Sequence, residues 1–170
     1  MTAGRGIVHA EMPRQNADGA SNVGLQLWVD LPARLKACEP RYRDLRAAEI
    51  PVAQAAGVEV KVIAGRSLGV ESAKDLAYTP VWMLDVGLQK GASLTQEVPR
   101  GWTVFAYVLE GEGVFGKEKK TVRKWHIVVF EDEGEQVEVT CSGDGEETLR
   151  FGKCRDSEPL RGYVRESMTA

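Results

Sequence analysis

Hydrophobic residues recur at every second position through most of this chain, the spacing of half-buried β-strands. In "GLQLWVDL" the residues Leu25, Leu27, Val29 and Leu31 alternate with Gln26, Trp28 and Asp30, and in "VEVKVIAG" the residues Val58, Val60 and Val62 share one face. "PVWMLDVGL" and "GWTVFAYVLEGEG" predict longer strands bounded by Gly and Pro, and "KWHIVVFEDEGEQVEVT" predicts two strands joined by an acidic turn. "GIVHAEMP", residues 6–13, reads as a further short strand. The pattern stops between residues 31 and 56, where Pro40 and Pro51 punctuate a charged stretch of helix formers; a short helix or coil within a linker is predicted there. About three strands precede this break and about eight follow it; eight suit a closed jelly roll, whereas three do not make an independent domain. The expected architecture is therefore all-β, with an incomplete piece over residues 1–31, a linker over 32–56, a jelly-roll barrel over 57–156 and a tail over 157–170.

Composition narrows the function classes. In 170 residues, 43% are hydrophobic and 28% charged, which is ordinary for a soluble chain with a real core, and 18 glycines fit many tight turns. A net charge of -3 offers no concentration of Lys and Arg for phosphate, so direct nucleic-acid binding is not expected. Cys38, Cys141 and Cys154 are odd in number and without C-x-x-C spacing, so neither a disulfide framework nor a thiolate zinc site is predicted, and a reducing compartment fits. No apolar run approaches the roughly 18 residues that span a bilayer, and "MTAGRGIVHA" lacks a signal-peptide core. Cytoplasm or nucleus is the expected location, with no membrane contact.

The candidate chemistry is thin. His9 and Glu11 stand two residues apart, so one alternating strand would point both to the same face. Two readings stay open: a hydrogen-bonded histidine beside a solvated carboxylate, or half of a metal site. A facial non-haem iron centre needs two histidines and a carboxylate, and the only other histidine, His126, reads as a packed or surface residue. Gly111, Gly113 and Gly116 make a formal G-x-G-x-x-G, but a strand rather than a helix follows, so they are read as hairpin positions needing φ > 0 and not as a dinucleotide fingerprint. The basic run Lys117, Lys119, Lys120, Arg123 and Lys124 and the acidic run Glu131, Asp132, Glu133 and Glu135 are read as solvated strand ends. Trp28, Trp82, Trp102 and Trp125 are expected in the core or at barrel ends.

Five blocks in order, "MTAGRGIVHAEMP", "GLQLWVDLP", "EPRYRDLRAAEIP", "VKVIAGRSLGV" and "GWTVFAYVLEGEGVFG", resemble the pirin family, bicupins of the cupin superfamily. The resemblance runs from Met1 to about Phe130 and then weakens; "EPLR" at residues 158–161 has the family's flavour, but the block usual after it is missing. It implies two jelly-roll cupin barrels joined by a linker, the first represented in part and beginning in mid-barrel. It also implies an Fe²⁺ held in the first barrel by three histidines and one glutamate, of which His9 and Glu11 match one pair; the family's H-x-H pair has no counterpart here. A complete shell is what gives a redox metal its chemistry.

The resemblance further implies a nuclear transcriptional co-regulator working through protein partners, with quercetin 2,3-dioxygenase activity on a flavonol in some members. That activity is expected to be impaired here. The alternative expectation is a metal-free interaction module built on the C-terminal cupin. Self-association through the incomplete first piece is expected from the unpaired edge and apolar residues Leu25, Leu27 and Val29.

Overall fold

The computed structural model describes residues 1–22, 24–73, 78–131 and 133–142, together with the backbone of residues 147–154 and 165–166. Fourteen strands are seen among them: β1 (Leu25–Gln26), β2 (Val52–Ala55), β3 (Val58–Ala64), β4 (Arg66–Ser67), β5 (Val70–Glu71), β6 (Val81–Leu88), β7 (Ser93–Glu97), β8 (Thr103–Val108), β9 (Glu112–Phe115), β10 (Lys120–Arg123), β11 (Ile127–Phe130), β12 (Gln136–Cys141), β13 (Glu147–Cys154) and β14 (Arg165–Glu166). Two single-turn 3₁₀ helices, Ala33–Leu35 and Ala47–Glu49, are the helical elements of this part of the chain. The chain divides into two compact units, Met1–Tyr42 with Ser157–Ala170, and Arg43–Asp156.

The larger unit is a jelly-roll sandwich. A six-stranded sheet runs β11-β8-β13-β6-β3-β2 and a four-stranded sheet runs β10-β9-β12-β7, every pairing antiparallel. Alternation dictates which side chains meet between them. Val58, Val60 and Val62 of β3, Leu84, Val86 and Leu88 of β6, and Val104, Ala106 and Val108 of β8 pack with Leu94, Phe115, Val122, Val137, Val139 and Cys141 of the other sheet in one buried cluster. β4 and β5 form a ribbon whose turn residues Leu68 and Gly69 stand at φ 48° and 79°, the left-handed pair a tight two-residue hairpin requires.

β2 lies inside residues 32–56, the expected linker, and pairs with β3 from Val52 opposite Lys61 to Ala55 opposite Val58. Its alternation is hard to see in sequence because Ala53, only 2% exposed, is its one buried side chain. Where a short helix or coil is expected between residues 31 and 56, the single turns Ala33–Leu35 and Ala47–Glu49 form, the second closed by Arg46 N donating to Glu49 Oε2 at 2.9 Å.

The smaller unit departs further from expectation. No strand forms over residues 6–13, and the predicted strand over 24–31 reduces to β1, which pairs with β14. The alternation survives as burial: Leu25, Leu27 and Val29 are half-buried while Gln26, Trp28 and Asp30 are exposed. Among the described residues β14 is the one strand beside this pattern, and two strands alone gain too little to offset the ordering of their backbones.

Candidate metal centre

The residues around His9 are anchored from one end. Thr2 and Arg41 exchange backbone hydrogen bonds of 2.6 and 2.9 Å, Arg5 N donates to Cys38 O at 2.9 Å, and the Arg5 guanidinium pairs with Glu39 at 2.6 Å. Gly4, at φ 51°, permits this because a Cβ there would collide with Cys38 O. The chain then runs outward, every residue from 7 to 22 exposed. It turns where Gly19 N donates to Asn16 O at 3.0 Å, capped by Ala20 N to Asp18 Oδ1, also 3.0 Å. On the return, Asn22 Nδ2 donates to Arg14 O at 3.0 Å and Gln26 Nε2 donates to Glu11 Oε2 at 2.7 Å. The partners are arranged as in a hairpin, but side chains rather than a backbone ladder hold its two arms together.

This excursion brings His9 and Glu11 to the same side without a regular strand. His9 Nε2 stands 3.9 Å from Glu11 Oε1, too far for a hydrogen bond, with the side chains 38% and 63% exposed. Gln26 is the neighbour that sequence reasoning missed. It was visible only as a polar position of the alternating stretch; its role as the clasp on Glu11 depends on where the return arm lies.

The donor set does not fit a closed metal site. Among the described residues no group of three or more His, Cys, Asp or Glu side chains is placed to hold a metal ion. His9 and Glu11 are two donors, one carboxylate oxygen already accepts from Gln26, and a facial centre takes at least three protein ligands. Of the ligands that the sequence resemblance implied, His9 and Glu11 are the pair found together among the described residues. His126 belongs to the other unit, where its Nδ1 lies 3.0 Å from Lys124 O. The buried side chains of the larger unit include no imidazole or carboxylate among the described residues: the polar ones are Ser67, Thr79 and Gln96.

The glycine motif is likewise structural. Gly111 and Gly116 stand at φ 71° and 65° in turns, as expected, but Gly113 is not in the left-handed region. It lies in β9 opposite Val122 and Cys141, and a Cβ there would stand 3.0 Å from Phe115 Cε2. Its reason is packing against an aromatic ring, which a turn motif does not reveal.

Residues 83–152 match the Pirin C-terminal cupin domain. The chain is 48% identical over 132 residues to Pirin-1 of Arabidopsis thaliana, covering 76% of this chain and 44% of that protein. It is 42% identical over 141 residues to Pirin of Homo sapiens, covering 82% and 47%. The chain spans about half the length of the curated relatives it matches. Among solved structures, GK1651 from Geobacillus kaustophilus is similar with a TM-score of 0.69 at 29% identity, covering 78% of this chain and 54% of that one. A quercetin 2,3-dioxygenase from Acinetobacter baumannii has a TM-score of 0.68 at 25% identity, covering 82% and 49%.

Proposed function

Since the chain belongs to the pirin family, we propose that it acts as a protein-binding cupin module of the co-regulator type, in the nucleus or cytoplasm, with iron-dependent dioxygenase activity impaired. The single observation that carries this reading is the donor count at His9 and Glu11. A relative is named a quercetin 2,3-dioxygenase, and the fold that it shares with this chain has room for such chemistry only where a full ligand shell holds the metal. Among the described residues His9 and Glu11 are two donors placed together, with Glu11 clasped by Gln26, fewer than such a shell requires. The described interior of the larger unit is filled by a buried, mainly aliphatic cluster, which suits recognition of a regulatory protein at its surface better than conversion of a flavonol inside it. A net charge of -3 supports a protein partner over nucleic acid.

The test is iron per chain after loading with Fe²⁺ and dialysis, measured together with quercetin oxidation on the parent and on His9→Ala. The expected result is equal, substoichiometric iron in the two and no oxidation above the buffer rate. One iron per parent chain, lost in His9→Ala, would establish the alternative reading, an iron dioxygenase whose shell is completed from elsewhere.

A further inference from the structure

β11 is the outermost strand of the six-stranded sheet; β8 holds one of its edges, and among the described residues no strand pairs with the other. Its outward side chains are apolar and open, Ile127 being 50% and Val129 63% exposed. Trp125 flanks them, 51% exposed, its ring 6.3 Å from that of Tyr107 and 4.8 Å from Lys124 Nζ. The indole is presented there by a strained backbone: Trp125 stands at φ 67°, held by its N donating to Val108 O at 2.7 Å and by Val108 N donating to His126 O at 3.0 Å. The ends of the strand carry opposite charge. Arg123 and Lys124 precede it and Glu131 and Glu133 follow it. Arg123 is engaged by Glu112 at 2.8 Å, whereas Lys124, Glu131 and Glu133 have no ion pair among the described residues.

We propose that β11 is a self-complementary edge through which two copies of this chain join as antiparallel strands. In such a two-fold pair the residue numbers that face each other have a constant sum. Ile127 and Val129 of both copies stay on one face of the joined sheet only if that sum is even, because a slip of one residue turns a strand's side chains over. A residue therefore lies on the axis. With Val128 there, Ile127 faces the partner's Val129, and the Lys124 end of each strand meets the partner's acidic end. One sequence thus supplies both halves of the charge complementarity, twice per dimer, which is why a second copy is the occupant that fits. Four-residue strands bury less than the roughly 1,000 Å² of a stable interface, so the dimer exchanges readily and weakens as salt rises.

Sedimentation velocity of the full chain over a wide concentration series tests this, with Lys124→Glu, Glu131→Lys and the double variant beside it. All the changed side chains are exposed, so the sandwich is retained. The parent is expected to dimerise with concentration, each single reversal to raise the dissociation constant at least about tenfold, and the double variant to return to within about threefold of the parent. A parent that stays monomeric, a dimer indifferent to either single reversal, or a double variant as weak as the singles would overturn the proposal. Indifference to either single reversal would assign any association to another surface, such as the arm around His9.

Discussion

Gly65 stands at φ 95° with the Trp82 ring directly over the place a Cβ would take, and Trp82 meets Trp102 edge-on with ring centres 5.5 Å apart. Positive φ and steric overlap act together there. Gly65→Ala is expected to cost about 2–4 kcal/mol of stability, read from urea unfolding of the purified chain. Gly113 is constrained by packing alone, since a Cβ would stand 3.0 Å from Phe115 Cε2 and 3.5 Å from Val139 Cγ2. Gly113→Val should cost about 1–3 kcal/mol by overpacking. Phe115→Leu in the same chain frees space beside it, so the double variant should lose less than the two single losses added. Strict additivity would show that the aromatic ring is not what excludes a larger residue.

β2 is short and at the edge of its sheet, yet the alternation within it has consequences that single exposed strands lack. Ala53 is 2% exposed and faces Val60, whereas Gln54 is exposed and faces Glu59. An unpaired carboxylate at position 53 would be forced toward the aliphatic core, so Ala53→Asp should lower stability by about 3 kcal/mol while Gln54→Asp changes it by less than about 0.5 kcal/mol. Equal melting temperatures for the two would place the 52–55 segment outside the sheet. The arm around His9 makes the opposite case. Its two halves are joined by the Arg14–Asn22 and Glu11–Gln26 side-chain contacts, and each such exposed bond contributes little. Gln26→Ala should therefore leave global stability unchanged while releasing the Glu11 carboxylate.

For the whole molecule, susceptibility to cleavage should follow the division into units. Residues 7–22 are exposed throughout and lack a ladder, whereas the strands from 52 to 142 carry the buried cluster. Brief trypsin treatment is expected to cut after Arg14 first and to leave a resistant fragment that begins between residues 35 and 47, identified by mass spectrometry. Early cleavage at Lys61 or Arg66 would contradict this. The sequence by itself determined the all-β class and the inward face of β3, because a two-residue period is local and Val58, Val60 and Val62 announce their side wherever the strand ends up. It also determined that His9 and Glu11 are chemically able to act as a pair. Only the tertiary structure decided that this pair sits on an exposed arm instead of a strand, that Gln26 clasps Glu11, that Ala53 belongs to a sheet, and that Gly113 answers to Phe115. Each of these depends on which distant segment lies alongside, and such pairing is settled by the closure of chain loops and the burial of shared faces, quantities that no short window of residues contains.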